Sequence, residues 1–383
     1  MNAIINAKII LEDKVLENHV IIFEEYIKNI IPICEFDKDK YDDINIIDIK
    51  GNYLSPGFID LHIHGASGFD TMDATKEAID TISKSICKYG TTSFLPTTMT
   101  MPKDRIINAL ENIKAYMKND FVGAKVIGAH MEGPFINKKH KGAQDPTFII
   151  KPDYEFIKPY LDVIKIITLA PEEDKNFEFI KTLKQNSNIV LSMGHTDTTF
   201  ETAKEAIANG VSYATHTFNA MTGLHHRKPG CVGAILSSNI YAELIADNIH
   251  VHKGLYQFVI DAKTKDKVVL VTDSIRATCL KKGMYELGGQ KVKVDESSAR
   301  LEDDTLAGSI LRLDKAIKNI YNETNLSIYE VIRMVSLNQA KAINVQDQIG
   351  SIKKGKKADL VELDKELNVL STFIEGKKIY GGK

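Results

Sequence analysis

Eight short apolar segments, most of them followed by a stretch with helical spacing, constrain the fold of this 383-residue chain more than any other feature. Near-continuous apolar runs that alternate with helices are typical of a parallel sheet covered on both faces. Because eight such units fit between Tyr53 and Ala342, they favour a closed (β/α)₈ barrel over an open sheet. The segments read FIDLHIHG, TSFLPTT, KVIGAHMEG, VIKIITLAP, NIVLSMGH, SYATHTF, YAELIADNIH and KVVLVTD.

The two ends of the chain follow a different pattern. In residues 1–52 and 346–383, apolar and polar residues alternate over short runs, which predicts half-buried antiparallel strands. Neither segment alone can bury much surface, so we expect both to meet in one small β-sandwich domain. The (β/α)₈ barrel is then predicted for residues 53–345. Within it, residues 277–307 are rich in glycine and charge and are expected to form hairpins inserted after the eighth strand.

Composition excludes several classes of function. The formal net charge is −2 with the signs interspersed, whereas a nucleic-acid surface needs a clustered basic excess. No run of 18 apolar residues occurs, so we expect no membrane span. The four cysteines are scattered and form no CxxC pair, and the first residues do not resemble a signal peptide. We therefore expect a cytoplasmic protein with reduced thiols.

Ionisable residues stand at the ends of the apolar segments. In a (β/α)₈ barrel the carboxyl ends of all strands meet at one rim, where active sites are built. Any one buried histidine is more often structural than catalytic, and the motif HxH is weak evidence alone. Their coincidence at strand ends is what indicates a metal site. The residues are His62 and His64 after the first segment, then Glu132, His195, His216, His250 and Asp273.

The chemistry of this set favours hydrolysis. Imidazole and carboxylate ligands suit a divalent cation such as zinc or ferrous iron, which lowers the pKa of a bound water to about 7. His62 and His64 lie two positions apart on one strand and therefore face the same side. Asp273 is predicted to take the proton of that water and return it to a leaving amine. His130 lies deeper in its strand and is interpreted as structural.

Several motifs resemble a known family. The segments LSPGFIDLHIHG and GTTSFLPT are similar to the opening of the amidohydrolase superfamily. GAHMEGPFIN, MGHTDTT, ATHTFNAM, ELIADNIHVH, VTDS and TLAGS resemble, in order, segments of the N-acetylglucosamine-6-phosphate deacetylases. The resemblance covers nearly the whole barrel and the terminal β-domain. It implies release of acetate from a phosphorylated amino sugar.

The resemblance also implies a metal centre. Glu132, His195 and His216 would be the ligands of one cation. His62 and His64 would contribute to a neighbouring cation site, which favours two ions per subunit without excluding one. Zinc and ferrous iron both remain open as the native metal.

The remaining implied roles concern the substrate. Asp273 would be the general base and acid, and His250 would contact the sugar. The phosphate pocket would be shared between the two subunits of a homodimer. Its residues would be Asn219 and the backbone of Ala220, with His226 and Arg227 supplied by the neighbouring subunit. A guanidinium such as that of Arg227 suits a phosphate because it donates two parallel hydrogen bonds.

One departure from the family leaves the substrate open. Gln144 stands in KGAQDP, where the family usually has a histidine on the carbonyl side of the substrate. Glutamine can donate a hydrogen bond there but cannot carry a positive charge. A deacetylase for another N-acyl amino sugar phosphate is therefore an alternative. Two others do not depend on Gln144: a cyclic amidase or nucleobase deaminase of the same superfamily, and an inactive scaffold.

Overall fold

The amino-terminal segment forms short strands, and many of their buried residues belong to a small core separate from that of the barrel. The computed structural model describes residues 1–41 and 43–382. The strands of this segment are β1 (Asn2–Ile5), β2 (Lys8–Ile10), β3 (Val15–Leu16), β4 (His19–Phe23), β5 (Ile27–Pro32), β6 (Asn45–Asp48) and β7 (Tyr53–Pro56).

Parallel strands from each of the eight apolar segments build the central barrel. The strands of this region are β8 (Phe58–Ile63), β9 (Gly65–Ala66), β10 (Phe69–Asp70), β11 (Thr91–Thr98), β12 (Lys125–Val126), β13 (Ala129–Glu132), β14 (Ile164–Leu169), β15 (Val190–Met193), β16 (Tyr213–Ala214), β17 (Tyr241–Leu244) and β18 (Val268–Leu270). The third segment contributes both β12 and β13, while β9 and β10 form an antiparallel pair of their own. The barrel closes where Ile63 and Ser274 form a parallel bridge and the Asp273 backbone N–H donates to the His62 carbonyl (2.8 Å).

Helices follow most barrel strands and cover the outer face of the sheet. They are α1 (Lys76–Cys87), α2 (Lys103–Tyr116), α3 (Tyr154–Ile157), α4 (Glu178–Asn186), α5 (Phe200–Asn209), α6 (Gly230–Leu236), α7 (Tyr256–Lys263), α8 (Leu313–Glu323), α9 (Ile328–Arg333) and α10 (Leu337–Ala342). Helix α1 shows the local reason: the Thr75 hydroxyl caps its start, and Ile79, Ile82 and Ile86 bury one face at helical spacing.

Within residues 1–41 and 43–382, no helix combines the length and the apolar character that crossing a bilayer requires.

The predicted insertion after the eighth strand is present as a small antiparallel sheet. Its strands are β19 (Gly283–Leu287), β20 (Gln290–Val294) and β21 (Ala299–Arg300). Gly288 and Gly289 connect the first two strands, both with positive φ (57° and 84°), as a tight two-residue hairpin turn requires.

Both chain ends meet in the terminal sheets, as the alternating pattern predicted. The last strands are β22 (Leu360–Leu363), β23 (Val369–Ile374) and β24 (Lys377–Tyr380). One sheet has the order β24-β23-β22-β7-β2-β3 and combines the two termini, and the other has the order β5-β4-β1-β6. The α/β class, the (β/α)₈ barrel and the small terminal β-sandwich are thus confirmed. The domain limits 1–52, 53–345 and 346–383 stay a prediction.

The contact between Phe23 and Phe373 joins the amino-terminal and carboxy-terminal segments, with ring centroids 5.9 Å apart. We predict that Phe373→Ala lowers the free energy of unfolding by about 3–5 kcal/mol, because it leaves a cavity between the two segments. Leu370→Ala is the matched control, since Leu370 lies on the same strand but is 40% exposed. It should change stability by no more than about 0.5 kcal/mol. Urea titration of both variants measures the difference, and equal effects would contradict this account.

Candidate active site

His62 and His64 project from the end of β8 into the mouth of the barrel. Both side chains are buried. The Nε2 atom of His62 lies 3.5 Å from a carboxylate oxygen of Glu132 and 3.5 Å from one of Asp273. The corresponding distances for His64 Nε2 are 3.3 Å and 3.2 Å. The HxH pair therefore faces two carboxylates that arrive from β13 and from the end of β18.

A second group forms around Glu132. The Oε1 atom of Glu132 lies 3.1 Å from Nε2 of His195 and 3.1 Å from Nε2 of His216. The two imidazole nitrogens are themselves 3.1 Å apart. His195 and His216 have positive φ (48° and 29°), as does Asp273 (48°). Non-glycine residues adopt this conformation at some energetic cost, and here it turns each side chain inward just after its strand ends.

This convergence fits a divalent cation. Ligand atoms that share one zinc ion at about 2.0–2.1 Å lie about 3.3 Å apart in a tetrahedral arrangement. The spacing among Glu132, His195 and His216 is close to that value. A second ligand group consists of His62, His64 and Glu132. Nε2 of His62 is buried and has no hydrogen-bond partner among residues 1–41 and 43–382, so this atom has no competing protein partner at the candidate cation site.

The charges at this rim favour the same conclusion. Burial alone would raise the pKa of Asp273, but the His62 charge and the hydrogen bond from His64 outweigh it and lower the pKa to about 2. Asp273 is therefore a carboxylate at neutral pH. Glu132 and Asp273 form salt bridges only with histidines in the part of the chain that the structure describes.

A cavity of about 390 Å³ opens onto this cluster. It brings together most of the residues predicted for the substrate: Gln144, Asn219, Ala220 and His250 line it beside His64, Glu132, His195, His216 and Asp273. The ring of His250 is oriented by Asp247, whose Oδ2 accepts a hydrogen bond from Nδ1 (2.7 Å). The insertion contributes Leu287 and Arg300 to the same wall.

Gln144 is held on two sides within this cavity. Its Oε1 accepts a hydrogen bond from the Thr100 backbone N–H (2.7 Å), and its Nε2 donates to Glu132 Oε2 (2.7 Å). Only 3% of the residue is exposed. The amide therefore contacts a metal-ligand candidate, a contact that its spacing in the sequence did not indicate.

His226 and Arg227 are not part of this cavity in a single chain. Both are exposed, and Nη1 of Arg227 contacts Nε2 of His226 (2.6 Å). They lie in the loop between β16 and α6, a few residues beyond the cavity-lining Asn219 and Ala220. One chain thus brings together ten of the twelve predicted site residues, whereas His226 and Arg227 project into solvent.

Three acidic or imidazole groups behind the rim refine the sequence interpretation. His130 agrees with its structural assignment, since Nδ1 contacts the Leu61 carbonyl (2.9 Å) and Nε2 contacts Thr168 Oγ1 (2.7 Å). Burial lowers its pKa to about 4. Glu243 contacts His62, and Asp60 binds the Thr272 hydroxyl (2.6 Å); the sequence analysis missed both. An acid inside an apolar strand was the signal that could have found them.

A (β/α)₈ barrel with histidine and carboxylate ligands at its rim defines a class of metal-dependent hydrolases. The model of the amidohydrolase family matches residues 53–379, so the chain belongs to this family. It is 43% identical over 331 residues to an N-acetylglucosamine-6-phosphate deacetylase of Bacillus subtilis (strain 168), covering 84% of this chain and 83% of the relative.

Two further comparisons extend this result. An N-acetylgalactosamine-6-phosphate deacetylase of Escherichia coli O157:H7 is 34% identical over 339 residues, covering 87% of this chain and 89% of the relative. The crystal structure of an N-acetylglucosamine-6-phosphate deacetylase from Pasteurella multocida superimposes with a TM-score of 0.92 at 31% identity, covering 98% of this chain and 99% of that one. The family resemblance read from the motifs is thus confirmed.

We predict that His216→Asn reduces the stabilisation of the metal-free protein by added Zn²⁺. A ligand present at 100 times its dissociation constant stabilises a protein by about 2.7 kcal/mol, and the part of the gain that comes from the site of Glu132, His195 and His216 should vanish when one of its three ligands is lost. His225→Asn is the control, because His225 is exposed and outside the cluster. Thermal unfolding with and without Zn²⁺ measures the gain. An unchanged gain in His216→Asn would contradict the ligand assignment.

Proposed function

We propose that this protein hydrolyses the acetamide of N-acetylglucosamine 6-phosphate to glucosamine 6-phosphate and acetate. The observation that carries the proposal is the position of Asp273, which adjoins the ligand cluster and lines the same cavity. An amide hydrolase needs a Lewis acid for the carbonyl and a group that moves a proton from water to the amine. The relatives named above support the choice of substrate.

The residues that would hold the cations divide into two sets. Glu132, His195 and His216 would hold one, and His62 and His64 would hold a second with a shared carboxylate. Bound there, a divalent cation such as zinc or ferrous iron supplies polarisation of the carbonyl and a lowered pKa for water. One or two cations per subunit are part of this proposal.

Asp273 moves the proton in the proposed reaction. It is ionised at neutral pH and adjoins the cation site, so its carboxylate can accept a proton as the water oxygen adds to the acetyl carbon. It then donates that proton to the nitrogen as the carbon–nitrogen bond breaks, which releases acetate and the free amine. Nε2 of His64 lies 3.2 Å from the carboxylate, so Asp273 adjoins the proposed cation site directly.

The rest of the cavity would hold the sugar and its phosphate. His250, fixed by Asp247, would contact the sugar hydroxyls. Asn219 and the backbone N–H of Ala220 would bind the phosphate from within the chain. Gln144 would face the carbonyl side of the acetamide, where its Nε2 has a second N–H beyond the one donated to Glu132.

His226 and Arg227 would complete the phosphate pocket of a second subunit in a homodimer. Their exposure on a loop beside the cavity supports this arrangement, since a cation that serves its own chain would be directed inward. A cytoplasmic location also belongs to the proposal, supported by four cysteines that are scattered along the chain without a CxxC pair.

The main competing substrate is the galactosamine isomer, because one relative is named for it. A cyclic amidase of this superfamily would carry a metal-bridging lysine at the carboxyl end of β14. That end has none, since Lys165 lies near the start of the strand, and Glu132 on β13 would provide the shared carboxylate instead. An inactive scaffold is disfavoured by the complete set of ligand candidates around Asp273.

We predict that the metal-loaded protein releases acetate rapidly from N-acetylglucosamine 6-phosphate and only slowly from the unphosphorylated sugar. Asp273→Asn should lower kcat by about 10²- to 10⁴-fold, because proton transfer is lost while the ligands remain. Asp303→Asn, at an exposed carboxylate on the insertion, should leave kcat unchanged. N-acetylgalactosamine 6-phosphate is assayed in parallel. Faster turnover of that isomer would overturn the choice of sugar, and no release from any of them would overturn the deacetylase proposal.

We predict that Arg227→Ala raises KM for the phosphorylated sugar by about 10- to 100-fold, because guanidinium–phosphate hydrogen bonds are lost. Lys228→Ala, the neighbouring exposed cation, should have a much smaller effect. Co-expression of the Arg227→Ala and Asp273→Asn chains tests whether the two subunits share the phosphate pocket. If Arg227 acts across the interface, each mixed dimer has one site with both residues intact, so random pairing leaves about a quarter of all sites intact. If the co-expressed protein shows, at low substrate concentration, only the mean activity of the two variants measured separately, a shared pocket is contradicted.

A further inference from the structure

Glu243 is a buried carboxylate that lies behind the ligand cluster rather than in the cavity. It sits in β17, with 0% of the residue exposed. Its Oε2 atom accepts a hydrogen bond from Nδ1 of His62 (2.9 Å) and another from the backbone N–H of His216 (2.9 Å). One oxygen atom thus contacts a residue from each of the two ligand groups.

The contact with His62 fixes which ring nitrogen is available to a cation. A neutral imidazole that donates its Nδ1 proton to a carboxylate must present the lone pair of Nε2 on the other side. In His62 that atom faces Glu132 and Asp273, each at 3.5 Å. Without the carboxylate, the proton could sit on either nitrogen and the ring could rotate. Glu243 therefore selects the ligating form of His62.

Glu243 also contacts the residue after His216, through its main-chain carbonyl. The carbonyl of Glu243 accepts a hydrogen bond from the Thr217 backbone N–H (3.0 Å). Glu243 thereby fastens both residues of the bend after β16, where His216 has its positive φ of 29°. The side-chain carboxylate of Glu243 thus holds the backbone N–H of His216, and its main-chain carbonyl holds the backbone N–H of Thr217.

The charge of Glu243 is balanced only through this cluster. Its sole salt bridge in the described chain is with His62, and its second oxygen, Oε1, has no hydrogen-bond partner there. A buried carboxylate without a lysine or arginine is costly unless nearby positive charge compensates for it. A cation at the His62 position supplies that charge through the imidazole.

We propose that Glu243 is a positioning residue of the metal centre, which acts through His62 to establish the cation site between His62, His64 and Glu132. The inference rests on the metal centre of the proposed function but not on the identity of the sugar. Loss of a carboxylate that orients a metal-bound histidine typically costs about 10- to 100-fold in metal affinity.

Metal binding without substrate tests this role. Metal-free protein is titrated with Zn²⁺ against a chromophoric chelator, for the wild type, Glu243→Gln, His62→Gln and the double variant. We expect Glu243→Gln to weaken the binding of the same Zn²⁺ ion that His62→Gln affects, and to lower its affinity by about 10- to 100-fold. In the His62→Gln background it should cause no further loss, because the two residues act as one unit. The Co²⁺-substituted forms of the two single variants should show the same change in their visible spectra.

Two controls separate positioning from general damage. Asp174→Asn removes another buried carboxylate, which caps the start of α4, and should leave Zn²⁺ affinity unchanged. Glu243→Asp keeps the charge but withdraws it by one methylene, so it should also weaken binding. It carries the test if Glu243→Gln fails to fold.

Three results would overturn the inference: wild-type affinity in a folded Glu243 variant, no effect of His62→Gln on Zn²⁺ binding, or additive losses in the double variant. None of them depends on acetate release, so a wrong sugar assignment would leave this test intact.

Discussion

The closure of the barrel between β8 and β18 is the constraint on which the site depends. The Asp273 backbone N–H donates to the His62 carbonyl, and the neighbouring Ile63 and Ser274 form a parallel bridge. These contacts join the first and last strands of the sheet. In an open sheet His62 and His64 would lie at one edge and Asp273 at the other. Asp273 and the HxH pair meet only because the sheet closes on itself.

The same closure creates an interior that must accommodate polar atoms below the rim. Nε2 of His130 contacts the Thr168 hydroxyl (2.7 Å), which contacts Thr215 (2.6 Å), which in turn contacts Ser192 (2.5 Å). This chain of hydrogen bonds crosses four adjacent strands and offsets the desolvation of each group. It also fixes the ring of His130 directly against His62, with centroids 4.6 Å apart. The ring of His62 thus packs against a histidine that this hydrogen-bonded chain holds in place, which limits how far it can move.

Sequence patterns predicted the barrel because its strands are apolar on both faces. They pointed to candidate ligands because strand ends are the places where polar residues interrupt those runs, and the structure brings these candidates together. They could not predict partners across the barrel. Glu243 and Asp60 carry no periodic signal, since an isolated acid in an apolar strand shows neither what it contacts nor whether it is exposed. The hydrogen bond from Gln144 to Glu132 joins a loop to a strand, and its geometry depends on the path of that loop. The placement of His226 and Arg227 requires a second subunit, so it stays a prediction.

The segment TLAGS shows how a motif acquires a physical reason once the fold is known. Gly308 has a φ of 57°, and a Cβ atom there would lie 2.8 Å from the Asp273 carbonyl and 2.7 Å from Ile275. Such distances are too short for any side chain, so only glycine allows the segment to approach. The approach lets the Ser309 backbone N–H donate to the Asp273 carbonyl (2.7 Å) and the Ser309 hydroxyl bind the Thr272 carbonyl (2.5 Å). Asp273 also has a positive φ, a conformation that its neighbours must maintain. The segment 305–309 therefore holds the backbone carbonyl of Asp273, while the hydrogen bond to the His62 carbonyl holds its backbone N–H.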